Sequence, residues 1–291
     1  MKKLILTIGI MLSTALLAGD LHDAAGKGDI AGIKKALNAG ADINKLKNDS
    51  TPLARAAMGR QLEAVKFLLS KKAKVNKSGK NKYTALHWSG HSPEIVAVLL
   101  KAGANVKLRN HVGQSALATA HNLDVMKLLI KAGIHYDDLD SRGSATPLSL
   151  RSNGTDAKLV EFLLKKGADP NGRGKSVPLI KAAMGGRIDN IRLLIIAGAD
   201  VNRQNSRGNT ALHRTANVAI LRLLFENGAK RNIKNKQGET ALAAATSNYK
   251  YYKKKERKKD KEIAGRYKAA MTILKNPPAA KPLKVKRRTS N

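Results

Sequence analysis

TALHW at residues 84–88 and TALHR at 210–214 are the same five-residue device, closed once by Trp and once by Arg. Looser copies begin at Thr51 (TPLAR), Ser115 (SALAT), Thr146 (TPLSL), Val177 (VPLIK) and Thr240 (TALAA), with successive first residues 33, 31, 31, 31, 33 and 30 apart. A second marker keeps phase with the first: GADIN at 40–44, KAKVN at 72–76, GANVK at 103–107, GIHYD at 133–137, GADPN at 167–171, GADVN at 198–202 and GAKRN at 228–232. Two markers in phase along the chain establish an internal repeat, and the fold must be read repeat by repeat.

Each piece of the repeat has a physical reading. Thr or Ser ahead of Pro or Ala supplies a helix N-cap, and Pro at the first helical position gives up only an N–H that has no helical partner. Ala-rich stretches such as ARAAM at 54–58 let a short inner helix pack closely. A second helix follows with a wide apolar stripe, as in LEAVKFLL (62–69), PEIVAVLL (93–100), AKLVEFLL (157–164) and DNIRLLII (189–196). Such a stripe cannot stand alone and must be buried between neighbours. Gly103, Gly133, Gly167, Gly198 and Gly228 then end that helix in a left-handed conformation.

The pattern resembles the ankyrin repeat, whose T-P-L-H-x-A signature and period of about 33 residues it approximates over residues 20–248. The resemblance implies an all-α ankyrin-repeat solenoid of stacked helix-turn-helix units with inter-repeat finger turns. It also implies that His22, His87 and His213 serve structural hydrogen bonding. Residues 20–248 hold about seven repeats plus the start of the last, the first being a degenerate unit from Leu21. Lys72 replaces the helix-ending Gly, which should cost about 1 kcal/mol. The repeats at 84, 115 and 210 are two or three residues short between their helices, and GIHYDDLDSRGSA (133–145) is expected to be the least regular stretch.

The chain has 291 residues with 55 Lys+Arg against 21 Asp+Glu, a formal charge of +34, and only 3% aromatic residues. The charge asks for anionic partners, while the scarcity of aromatics argues against a stacking platform for single-stranded nucleic acid. No cysteine is present, which removes disulfides, thiolate nucleophiles and Cys-based metal sites. Residues 1–19, with Lys2 and Lys3 ahead of the apolar run LILTIGIMLSTALLAG, are expected to be a signal peptide cleaved after Ala18 or Gly19, directing the chain to a bacterial periplasm. At the other end YKYYKKKERKKDKE (249–262) is an insertion in the last repeat. Residues 249–276 are expected to form extended basic capping helices and 277–291 a disordered basic tail.

No catalytic constellation emerges. DPNGRGKS (169–176) ends like a phosphate loop but has Asp169 where the motif needs Gly. The seven histidines do not share a helix face and set no metal site, so no cofactor is expected. What remains is a non-enzymatic binding surface. The inter-repeat turns carry Lys45 and Lys47, Lys77, Lys80 and Lys82, Lys107 and Arg109, Arg173 and Lys175, Arg203 and Arg207, and Lys234 and Lys236; the variable position of the first marker is Arg55, Trp88, Lys181 and Arg214 in four repeats. By the resemblance, fingers and inner helices line a concave face, which here suits an acidic protein partner. The chain is expected to be monomeric by itself. The other readings are an envelope binder of anionic lipid or polysaccharide, and an immunity or enzyme-supporting accessory protein, the last implied only by exported bacterial relatives of this family. Nucleic acid is not expected in an exported protein.

Overall fold

The computed structural model describes residues 20–255 and 257–283; the expected signal peptide, Glu256 and the last eight residues of the expected tail, 284–291, lie outside the described residues. Among the described residues the fold is all-α, with only isolated bridges, Lys47 with Ser50 and Lys234 with Thr240. The chain divides into two compact units, up to His135 and from Tyr136, so the division falls inside the 133–145 stretch.

In the first unit, α1 (Leu21–Lys27) and α2 (Ile30–Asn38) form one helix pair, α3 (Pro52–Met58) and α4 (Leu62–Ser70) the next, and α5 (Ala85–Trp88) and α6 (Pro93–Lys101) the third. Turns at 116–119 stand in for an inner helix ahead of α7 (Leu123–Lys131). In the second unit, α8 (Pro147–Arg151) pairs with α9 (Ala157–Lys165) and α10 (Pro178–Gly185) with α11 (Ile188–Ile196). A 3-10 turn (Ala211–Arg214) precedes α12 (Val218–Glu226), and α13 (Ala241–Lys253) pairs with α14 (Lys258–Lys275). Within each unit inner elements pack on inner ones and outer helices on outer ones: α3 on α1 and α5, α4 on α2 and α6, α10 on α8 and on the 3-10 turn, and α11 on α9 and α12.

A shortened spacing between the markers goes with a reduced inner element, although α8, in a repeat of full spacing, also has only five residues. In the repeats at 51 and 177 the inner helix completes two turns. In the three shortened repeats it shrinks to one turn at 84, to isolated turns at 115 and to a 3-10 turn at 210. The consequence is visible on the neighbours. Met58 and Met184, in the last turns of α3 and α10, are 41% and 47% exposed, and each is followed by a shortened repeat that offers no second inner turn to cover it.

The core repeats as faithfully as the sequence. Leu53, Leu86, Leu117, Leu148, Leu179 and Leu212, the third residue of the first marker in six repeats, are buried, while Leu242 in the seventh is half-buried. The outer helices bury positions i, i+1 and i+4, as in Ile95, Val96 and Leu99 or Leu159, Val160 and Leu163. That is one face of a helix at its natural period. Burying a side chain of this size contributes about 1.5–3 kcal/mol, which no single helix pair could gather without a neighbour.

Helix ends are closed as the sequence suggests. Thr51 Oγ1 accepts from Ala54 N–H at 3.1 Å, and Asp29, Asn122, Asp156 and Asn217 cap outer helices with their side chains. Each complete outer helix ends in a Schellman turn, for example Ala104 N–H to Leu99 O at 2.9 Å around Gly103 at φ 83°. Lys72 is forced into the same geometry at φ 63°. The turns of successive repeats are tied by the last Asn of the second marker. Asn44 Oδ1 accepts from Lys74 N–H at 2.8 Å, Asn76 from Asn105 at 2.7 Å, Asn171 from Asp200 at 2.7 Å and Asn202 from Lys230 at 2.8 Å. Lys107 stands at this position in the first unit and has no acceptor to offer.

The inserted run is shared between the two last helices. TALAAATS does not stop as a normal inner helix but continues to Lys253, and the outer helix starts at Lys258, ahead of the expected Glu262. Tyr252 and Tyr267 stack across the pair at 6.0 Å, and buried Asp260 is paired with Arg257 at 2.7 Å. The segment expected to be disordered from 277 is in part attached: Lys281 N–H donates to Glu226 O at 2.8 Å and Leu283 N–H to Asn227 Oδ1 at 2.7 Å.

Because Lys72 carries a Cβ into the left-handed region, Lys72→Gly should raise stability by about 1 kcal/mol, a rise in Tm of roughly 2–4 °C by calorimetry. Gly103→Ala should lower it by a similar amount.

Candidate functional site

The histidines of the first marker lock repeats together. His87 Nε2 lies 3.1 Å from Gln114 O, so it must donate there, which leaves Nδ1 to accept from Thr84 N–H at 3.3 Å and to bond Thr84 Oγ1 at 2.9 Å. His213 repeats the arrangement with Thr210 and with Glu239 O at 3.0 Å. His22 Nε2 reaches Lys45 O at 2.9 Å. His91 and His121 stack at 4.6 Å, yet among the described residues no group of three or more His, Asp or Glu is placed to hold a metal ion. Residues 169–176 lie in turns and bends between α9 and α10, away from the strand and long helix a phosphate loop requires.

The first unit spreads its expected contact residues over several environments. Arg55 is half-buried on α3. Trp88, half-buried at the end of α5, stacks on Tyr83 at 4.8 Å, and its Nε1 is buried without a hydrogen-bond partner. Tyr83 also meets the His111 ring at 5.9 Å, so Trp88 sits in an aromatic cluster drawn from a turn, an inner helix and the next turn. Lys45, Lys80, Lys82 and Lys107 are exposed on the turns. Two other cations are engaged within the fold. Lys47 is ion-paired with Asp20, and Arg109 Nη1 donates to Gly113 O at 2.8 Å, holding its own turn.

The second unit brings its cations together. Lys181 from α10, Arg214 from the 3-10 turn, and Arg207 and Lys175 from two successive turns line one cavity of about 380 Å³. The turns are held in register by Ser176 N–H to Ser144 O at 2.8 Å and Lys236 N–H to Arg207 O at 3.1 Å. No carboxylate lines this cavity, and none of the four cations has an ion-pair partner among the described residues. Arg214 also borders neighbouring cavities of about 300 and 650 Å³. Arg203, Lys234 and Lys236 are exposed and stand outside this lining. Tyr83, Met184, Asn205 and Asn209 complete these two environments without a sequence signal of their own. The available clues were the position of Tyr83 just before Thr84 and the shortening after 210.

The histidine locks make stability depend on pH. Burial lowers the His87 pKa from its ordinary 6.5, partly offset by the bond to Gln114; burial likewise lowers that of His213, offset by Glu239. The unfolded chain therefore binds more protons, and stability falls as pH drops through the ordinary histidine range. Tm should decline from about pH 7.5 to about pH 5.5, and the His87→Gln/His213→Gln pair should flatten that slope in a pH series of thermal melts.

Known proteins share this architecture. A family model described as ankyrin repeats matches residues 21–110, 114–205 and 179–254. The putative palmitoyltransferase ZDHHC13 of Danio rerio is 30% identical over 205 residues, 66% of this chain and 32% of that protein. The B-cell lymphoma 3 protein homolog of Mus musculus is 30% identical over 194 residues, covering 61% of this chain and 43% of that protein. The crystal structure of the human ASB11 ankyrin repeat domain superposes with a TM-score of 0.59 at 27% identity, covering 68% of this chain and 91% of that domain. The chain thus spans under half the length of these two curated relatives, and the shared part is a fold that generally serves as a non-enzymatic interaction scaffold.

Proposed function

Since this chain belongs to the ankyrin-repeat family, we propose that it is a non-enzymatic, exported adaptor that binds an acidic protein through its inner-helix and finger residues. The observation that carries this reading is the convergence of Lys175, Lys181, Arg207 and Arg214 on one cavity free of carboxylates. In the first unit the half-buried Trp88 adds an anchor of the residue type that dominates interface energetics. Complementary charge would speed association and make it sensitive to salt. Export rests on the basic-then-apolar character of residues 1–19. Whether the complex serves toxin immunity or supports an enzyme follows from the partner it holds.

A second reading is favoured by one feature. Lys253, Lys254, Lys255, Lys258, Lys259 and Lys261 are all exposed around the turn joining α13 and α14, a patch suited to anionic lipid or polysaccharide of the envelope.

Affinity capture with the full chain from a periplasmic extract should retain one protein in stoichiometric amount at low salt and release it at high salt. Trp88→Ala should weaken that complex by at least about 2 kcal/mol, roughly thirtyfold. Sedimentation with membranes that is indifferent to Trp88→Ala but released by salt would instead support the envelope reading. N-terminal sequencing of the mature chain checks export: a start at Gly19 or Asp20 is expected, and an intact Met1 in the cytoplasm would refute it.

A further inference from the structure

Met184 and its surroundings point to the chemistry of the bound segment. The four cations of the second unit line a cavity with no carboxylate of its own, Glu239 lying in the adjoining cavity beside Arg207 and Arg214, so the site gains when an anion enters. Its floor is not polar. Met184, 47% exposed, lines the same cavity because the 3-10 turn after α10 lacks the helical turn that would cover it, and the almost completely buried Ile180 borders it from below. Methionine is the side chain best able to reshape itself around an apolar guest.

The register recurs in the first unit. Arg55 and the 41% exposed Met58 are three residues apart on α3, as Lys181 and Met184 are on α10, and in both cases the next repeat is shortened. A cation beside an uncovered Met is therefore produced twice by the same device. A bare phosphate group would use the guanidinium and ammonium groups but has no use for Ile180 and Met184. A volume of about 380 Å³ is at the small end of ligand sites, suited to a few side chains.

We propose that this cavity docks a segment of the partner protein in which carboxylates flank one aliphatic or aromatic side chain. The carboxylates lie on Lys175, Lys181, Arg207 and Arg214, and the apolar side chain lies chiefly on Met184, beside the edge of Ile180. The inference rests on the protein-interaction reading and specifies what that partner presents.

The test uses the full chain and three fluorescein-labelled peptides, alternating Glu with Leu, Gln with Leu, and Glu with Ser. The Glu/Leu peptide should bind at least roughly tenfold more tightly than either other, a difference of about 1.4 kcal/mol. Lys181→Gln/Arg214→Gln should weaken it by roughly tenfold or more, while Lys35→Gln/Lys131→Gln, which removes the same charge from exposed sites in the first unit, should leave it nearly unchanged. Met184→Ser should reduce the preference for Leu over Ser without abolishing the preference for Glu over Gln. Equal loss in the Lys35/Lys131 control would reduce the effect to net charge and overturn the proposal. Equal binding of the Glu/Ser peptide would overturn the apolar part. Displacement of the Glu/Leu peptide by phosphatidylglycerol vesicles or inorganic phosphate at lower concentration, lost in the same cavity variants, would make this a phosphate site. A captured partner that depends on Trp88 but not on Lys181 and Arg214 would overturn the cavity proposal and leave the interaction reading standing.

Discussion

Every helix pair in this protein is too small to bury its own apolar face, and that constraint governs the rest. Most outer helices bury about three apolar residues in a one-face stripe, and most inner elements contribute a buried leucine. Those side chains become buried only when the next pair stacks against them. Everything else in the repeat serves that stacking: Pro and Thr start the inner helix, a left-handed residue stops the outer one, and an Asn amide from each regular turn grips the backbone of the next. The histidine locks do the same from the other side, joining one repeat's cap to the following repeat's turn through a neutral ring.

The irregularities have a common physical origin and are the more informative for function. Dropping two or three residues between the markers preserves the outer helix, where most of the apolar surface lies, and shortens the inner element instead. The neighbouring full-length inner helix then ends in an uncovered turn, and both times that turn carries a methionine. A shortening that costs some buried area thus creates a recess with an apolar floor at the level of the variable side chains. In the second unit the recess is ringed by cations from two turns and an inner helix.

Charge is distributed to different ends. Some basic residues are spent on the fold itself, Lys47 on Asp20 and Arg109 on a turn carbonyl, and contribute little to any external field. Others, at the turn between α13 and α14, are exposed to solvent on the last helix pair of the described residues, Lys253 and Lys255 lying over the Tyr249 and Tyr251 rings. The stacked Tyr252 and Tyr267 and the buried Asp260 hold this pair, so its surplus charge is displayed on an ordered element.

The sequence by itself determined the helix-pair repeat, the buried stripe of the outer helices and the caps, and its resemblance to the ankyrin repeat implied the structural role of His87 and His213. Each of these is set within one repeat or between two adjacent ones, and every repeat meets nearly the same surroundings, so a pattern in phase is enough to read it. It also identified the candidate cations one by one, because they occupy fixed places in the markers. Only the tertiary structure decided which of them meet. Lys175, Lys181, Arg207 and Arg214 come from three repeats' worth of turns and inner elements, and their convergence depends on how far each inner element extends before it turns away. The same is true of Tyr83 and His111 around Trp88, and of the exposure of Met58 and Met184. Residue spacing reveals that a repeat is short; only packing shows that the missing turn is taken from the inner helix, because the outer one holds the larger apolar face and is the costlier to lose.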